Sequence, residues 1–274
     1  MTLADALEVV SRTDPGMVRS HNEDAVYGEA GLGLVILADG MGGYNAGEVA
    51  SGMATTLLAS SLSGIIPGCR PEEVEPSSGL RLAHCHLLKQ IAAANGAIYE
   101  AAQSQPQFAG MGTTLVTAWF YDNLVSIAHI GDSRLNRLRD GEFQQMTRDH
   151  SLLQEQIDSG MITPEEARHS LNKNLVTRAL GVDPEVEPEI HDYDVEVGDI
   201  YLLCSDGLND MVDEAEIGET VQMLAANLEL AADQLIQMAN DNGGRDNVSV
   251  ILVKVKGSFA APSSWWQKLL ARLK

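Results

Sequence analysis

Basic residues are scarce in this sequence. Only 18 lysines and arginines stand against 39 aspartates and glutamates, a formal charge of −21 over 274 residues. A nucleic-acid phosphate backbone demands a basic footprint, so this balance excludes nucleic acid as a partner. An acidic surface keeps a protein soluble, and it equally suits a chain that gathers carboxylates around cations; composition does not separate the two. Cysteine is nearly absent. Cys69, Cys85 and Cys204 form an odd, scattered set that makes no disulfide framework and points to a reducing compartment. No apolar run approaches the ~20 residues of a membrane span. The opening MTLADALEVV lacks a basic stretch and carries Asp5 and Glu8, unlike a secretory signal. These absences predict a cytoplasmic protein. What remains is ordinary: 45% hydrophobic and 21% charged residues, enough for one large domain or two small ones.

Residues 7–12, 24–29 and 32–39 read as strands, the last a buried run of Val, Ile and Leu. Small helix formers over 46–62 predict a helix, the proline- and glycine-rich segment 64–79 a loop, and 80–103 a long helix with an apolar stripe. Strands follow near 112–121, 124–130 and 134–138, with Asp122-Asn123 and Asp140-Gly141 as hairpin turns. A helix is expected around 148–160, and Thr163-Pro164-Glu165-Glu166 has the form of a helix start. A buried strand over 199–208, two amphipathic helices within 213–242 and a final strand over 247–255 complete the pattern. Strands come in hairpins and helices in groups, which disfavours a doubly wound parallel sheet. The expected fold is α+β, two antiparallel sheets flanked by helices.

Four aspartates share one setting. LVILAD ends at Asp39, VSIAHIGD at Asp132 and IYLLCSD at Asp206, while Asp246 stands just before VSVILVKV. Buried strands deliver their ends to a fixed edge of the core, so these carboxylates converge if the sheets bring those ends together. Converging carboxylates cannot all stay ionised without cations. Oxygen-only ligation suits Mg²⁺ or Mn²⁺, and a pair of such ions ~3.5–4 Å apart can acidify a shared water. The glycine after Asp39 leaves the Gly40 carbonyl free to reach a metal. Against this, Asp-Gly is a common turn dipeptide, and any one of these sites taken singly is a turn. Both readings stand at this point.

Further strings decide between them. Val18-Arg19-Ser20-His21-Asn22-Glu23-Asp24 precedes Ala38-Asp39-Gly40-Met41-Gly42-Gly43, with Gly47 beyond. Then come Gly112-Thr113-Thr114, Gly131-Asp132-Ser133-Arg134, Leu175 to Gly181 (LVTRALG), Ser205-Asp206-Gly207 and Gly244-Arg245-Asp246-Asn247. In this order they resemble the motifs of the metal-dependent protein phosphatases of type 2C, in their bacterial form. The resemblance runs from about residue 9 to 255. It implies a four-layer αββα sandwich and a serine/threonine phosphatase in which a metal-bridged hydroxide attacks phosphorus. By the same match Asp39 bridges two Mg²⁺ or Mn²⁺ ions with the Gly40 carbonyl on one, and Asp206 and Asp246 complete the pair. Asp132 resembles the ligand of a third ion, shared with Asp206. Glu23 and Asp24 resemble the acidic pair that meets the metals through water, and Arg19 the phosphate-binding arginine, a planar fork suited to a dianion. Animal members carry a histidine where this chain has Met41, which leaves the proton donor open between a metal-bound water and His150.

The resemblance also implies phosphorylated proteins as substrates, a cognate serine/threonine kinase, a monomer, and a mobile flap over about 148–180. A dedicated regulatory phosphoprotein as sole substrate, or a pseudophosphatase that only binds, are the alternatives; the intact set Arg19, Asp39, Asp132, Asp206 and Asp246 argues against the latter. His84-Cys85-His86 lacks zinc spacing, and DGMGGYNAG fits neither nucleotide-loop pattern. No Cys-x₅-Arg loop is present for a cysteinyl-phosphate route. The catalytic domain is expected over 1–256, with 257–274 a linker and a short basic amphipathic helix. In SSWWQKLLARLK, Trp265, Trp266, Leu269, Leu270 and Leu273 share one arc opposite Lys268, Arg272 and Lys274. That pattern fits peripheral contact with the inner membrane, protein docking, or packing on the acidic body.

Overall fold

A computed structural model of the chain describes residues 1–43, 46–163, 166 and 175–261. The amphipathic helix expected at 265–274 and the middle of the expected flap lie outside the described residues. A five-stranded sheet has the order β1 (Leu7–Asp14), β11 (Val248–Val255), β10 (Ile200–Cys204), β7 (Arg134–Arg139), β8 (Glu142–Gln145). A second sheet runs β2 (Asp24–Glu29), β3 (Leu34–Met41), β5 (Leu115–Tyr121), β6 (Leu124–Ile130), β9 (Glu189–Asp194), with β4 (Gly112–Thr113) paired to the end of β3. Every strand pairing is antiparallel.

The continuous apolar runs exist because most of these strands are buried on both faces, and alternate residues serve different cores. Leu34, Ile36 and Ala38 of β3 face one way, onto α2 (Ala46–Ile65) and α3 (Leu82–Ser104). Val35 and Leu37 face the other way and pack between the sheets with Val116, Phe120, Tyr201, Leu203, Ile251 and Val253. The opposite parity of β10 and β11, including Leu202, Cys204, Val250 and Leu252, meets the helices Glu214–Met223 and Leu228–Asp241. Three hydrophobic layers therefore separate four structural layers, helix, sheet, sheet, helix, as the resemblance implied.

Both expected hairpin turns form. Asp122 and Asn123 have φ of 45° and 53°, and Asp140 and Gly141 have 52° and 84°, the positive values that a primed two-residue turn needs. Thr163 and Glu166 exchange side-chain and backbone hydrogen bonds as a capping box. Three expectations change. The third strand does not stop at Asp39 but continues through Met41, so Asp39-Gly40 is strand and not turn. Asp206 opens a short helix, Asp206–Asn209, rather than closing a strand. And β9 was not expected: EIHDYD is an acidic sheet edge whose weak alternation hides it. The α2 helix with the turn that follows it, Ala46–Gly68, is also long and apolar enough to cross a membrane by length and composition. Its apolar face is instead core, with Ala46, Ala50, Ala54, Leu58 and Leu62 buried against the second sheet and α3.

The described start of the expected linker is tied to the body. Phe259 is buried in the inter-sheet core, its amide donates to Asn123 Oδ1 (2.8 Å), and the Ala261 amide donates to Asp122 Oδ1 (2.6 Å).

Candidate active site

Topology alone brings the acids together. In antiparallel neighbours the start of one strand lies beside the end of the next. Asp132 precedes β7 and Asp206 follows β10, and Arg134 is registered against Cys204. Asp246 precedes β11, whose Val248 pairs with Asp14 at the end of β1, where the loop carrying Arg19 begins. In the other sheet Asp24 at the start of β2 is directly opposite Asp39 near the end of β3. All five aspartates thus meet at one shared edge of the two sheets.

Their ionisation shows the cost. Burial, and then Asp24, Asp206, Asp132 and Asp246, hold the Asp39 carboxyl well above the usual range. Burial and then Asp132, Asp210, Asp246 and Asp24 do the same to Asp206. Burial likewise raises Asp24, against hydrogen bonds from neighbouring serines, and lifts Asp132 to about 6. Glu23 is raised by burial and by Asp246 and Glu48, with Arg19 opposing. The Arg19 guanidinium is half exposed at the rim and donates from Nη2 to Asp246 Oδ2 at 2.6 Å. Asp210, one helical turn beyond Asp206, is a further acid of this edge that the sequence reading passed over. Its i+4 spacing in SDGLND was the available signal.

The backbone frame around Asp39 explains motifs whose role was not legible. The Asp39 carbonyl accepts from Thr113 Oγ1 and from the Thr114 amide, both at 2.8 Å, and the Asp39 amide donates to Thr114 Oγ1 at 3.1 Å. Thr114 Oγ1 also pairs with Ser133 Oγ at 2.7 Å, joining the Asp39 strand to the Asp132 loop. The Gly40 amide donates to the Glu23 carbonyl at 3.0 Å. What demands glycine at 40 is close approach: a Cβ there would lie 2.1 Å from the Gly47 carbonyl oxygen. Arg134 holds Asp149 through Nε and Nη2, at 3.0 and 2.6 Å, beside Asp132.

Two observations show that this edge fits cations. Asp24 Oδ1 is buried with no hydrogen-bond partner. The donor set is oxygen only, the chemistry of Mg²⁺ and Mn²⁺. Elsewhere among the described residues, His129, His150 and Glu189 bring ligand atoms within 4.8 Å of one another. That group suits a metal poorly. The two imidazoles are stacked, 4.8 Å apart and 23° from parallel, so their lone pairs do not converge. His150 Nδ1 already accepts from the Gly131 amide, which leaves the proton on Nε2. The same bonds remove His150 as a proton donor to substrate: it is buried, with Nε2 facing Glu189. Met41 packs beside Gly112 near Val182 and brings no titratable group. His84 donates to or accepts from Asp192 at 2.8 Å, in a polar cluster with Arg81 and Ser126.

An αββα sandwich with a partly buried, oxygen-only carboxylate cluster at its sheet edge defines a protein built around divalent cations. Residues 18–242 match the family described as protein phosphatase 2C, and the chain belongs to that family. It is 41% identical over 249 residues to the serine/threonine protein phosphatase PstP of Mycobacterium tuberculosis, covering 91% of this chain and 45% of that one. The chain therefore spans less than half of that relative. The serine/threonine phosphatase stp of Listeria monocytogenes is 40% identical over 246 residues, 89% of this chain and 94% of its own. Among solved structures, the catalytic domain of PstP in complex with two manganese ions superposes with a TM-score of 0.78, at 40% identity, over 92% of this chain and 99% of that domain.

Proposed function

We propose that this chain is a protein serine/threonine phosphatase dependent on Mg²⁺ or Mn²⁺. The observation that carries it is the partly buried cluster Asp24, Asp39, Asp132, Asp206 and Asp246 at one sheet edge, with Arg19 at its rim. Asp39, Asp206, Asp246 and the Gly40 carbonyl would hold two ions, Asp132 and Asp206 would hold a third, and Glu23 and Asp24 would meet them through water. When bound, the ions acidify a water and neutralise phosphate charge. Arg19, half exposed beside Asp246, turns its fork to a phosphomonoester over the carboxylates and steadies charge on the phosphoryl oxygens. Thr113 and Thr114 keep Asp39 in place through its backbone. Cys204 is buried in β10 and takes no part as a nucleophile.

Substrates are phosphoserine and phosphothreonine proteins, products of a serine/threonine kinase whose action the chain reverses as a monomer in the cytoplasm. The basic amphipathic segment 265–274 attaches it peripherally to the inner membrane. Liposome co-sedimentation of the full chain against residues 1–261 tests attachment, and equal pelleting of the two refutes it. The central reading is tested by manganese-dependent hydrolysis of p-nitrophenyl phosphate and of a phosphothreonine peptide, abolished in Asp39→Asn. Absence of turnover with either metal refutes it in favour of a protein that only binds phosphoproteins.

A further inference from the structure

The residue after Asp246 contacts three separate parts of the site. Asn247 is 5% exposed, and its side chain is fully engaged with one loop. Its Nδ2 donates to the carbonyls of Pro15 (3.0 Å) and His21 (2.9 Å), and its Oδ1 accepts from the Glu23 amide (2.8 Å). Both ends of the segment 15–23 are thus held by one carboxamide. Between them Met17 to His21 are exposed, with the Met17 and Val18 amides anchored on the Gly244 carbonyl at 2.7 and 3.1 Å. Arg19 sits within that exposed stretch.

The backbone of Asn247 is tied to the other side of the site. Its amide donates to Asp246 Oδ1 at 2.8 Å, while Asp246 Oδ2 receives Arg19 Nη2. Its carbonyl packs against Gly207, where a Cβ would approach to 2.0 Å, and accepts from Ser205 Oγ at 3.4 Å. One buried residue therefore contacts the Arg19 loop, orients the Asp246 carboxylate and abuts the turn that carries Asp206. A carboxamide suits this place because it offers two donors and an acceptor in one plane. Aspartate keeps the shape and the acceptor but loses both donors.

We propose that Asn247 is a positioning residue that holds the Arg19 loop in register with Asp246, so that Arg19 meets the substrate phosphate. The proposal rests on the phosphatase reading above. In the full chain at saturating manganese, Asn247→Asp and Asn247→Ala raise KM for p-nitrophenyl phosphate and weaken inhibition by inorganic phosphate about tenfold, with a smaller loss in kcat. The Arg19→Ala substitution produces the same pattern, and adding Asn247→Asp to it costs nothing further in KM. An additive double variant, or a loss confined to kcat, overturns the proposal. A second readout needs no activity: trypsin cleavage after Arg19, followed by mass spectrometry. It quickens about tenfold in Asn247→Asp while the rest of the chain keeps its protection, and an unchanged rate overturns the proposal even if Asn247→Ala fails to fold. A wild type without turnover but with this change in cleavage refutes the phosphatase reading and leaves Asn247 holding the loop.

Discussion

Replacing Gly40 with alanine tests whether close backbone approach, rather than flexibility, demands glycine beside Asp39. A Cβ at position 40 would lie 2.1 Å from the Gly47 carbonyl oxygen, 2.4 Å from its carbon and 2.6 Å from the Glu23 carbonyl oxygen. Ordinary contact needs roughly 3.5 Å, so either the end of β3 or the start of α2 must move by more than ~1 Å. All three obstacles are backbone atoms, and no side chain can turn aside. Overpacking of this kind costs about 1–3 kcal/mol where side chains can adjust, and the upper end is expected here. At about 2–4 °C per kcal/mol for a domain of this size, melting should fall by roughly 6 °C or more. A shift of ~1 Å at Asp39 and Glu23 should lower turnover by about a hundredfold. Gly52, in the middle of α2 with nothing within 4 Å of its Cβ position, is the control. There Gly→Ala should stabilise by about 0.5–1 kcal/mol through helix propensity. Calorimetric melting with and without manganese, beside p-nitrophenyl phosphate turnover, reads both variants. Wild-type melting and turnover within twofold in Gly40→Ala would refute the packing account.

The raised carboxyls set a pH dependence. Burial pushes the Asp132 carboxyl up from its ordinary 3.8 to about 6 in the folded chain, so its contribution to stability is full below 3.8 and lost as pH rises through about 6. At 1.36 kcal/mol per unit this is on the order of 3 kcal/mol for Asp132, which moves from 3.8 to about 6. Asp39, Asp206 and Asp24 act in the same direction. In EDTA, melting should therefore fall from pH 4 to 7 and fall less in Asp132→Asn, with manganese restoring it; identical slopes in the two proteins refute this. Asp199, 1% exposed, accepts from Arg139 Nε and Nη2 (2.7 and 2.6 Å) and from Tyr201. Its removal in Asp199→Ala leaves Arg139 with only the exposed Glu196 and the Asp194 carbonyl, and should cost about 3 kcal/mol in urea unfolding, the lower end for a broken buried pair, with turnover per folded molecule unchanged. Burial pushes the Cys204 thiol up to about 12, so native alkylation followed by mass spectrometry should label at most Cys69 and Cys85, and labelled Cys204 would contradict its place in the core.

Much of the architecture was legible because its causes are local. Runs such as LVILA mark strands buried on both faces, Asp122-Asn123 and Asp140-Gly141 carry the residues that positive φ favours, and the long helices follow from small and apolar spacing. The strand Glu189–Asp194 was not legible, since an acidic edge has only one half-buried face and no strong period. The zinc-like pair His84 and His86 shows the converse: chemistry-bearing residues adjacent in sequence, one of which is spent on Asp192.

By itself the sequence determined that several carboxylates end buried apolar segments, and its motif order determined the family. It could not determine that they meet. That follows from antiparallel pairing, which sets the end of β10 beside the start of β7 and the start of β11 beside the end of β1, and from the two sheets sharing that edge. Tertiary packing also decided the purpose of Gly40, the inclusion of Asp210, the exclusion of His150 and the reach of Asn247. Each depends on which atoms lie within a few ångströms after folding, and for Asn247 that proximity spans more than 220 residues of chain and leaves no local pattern.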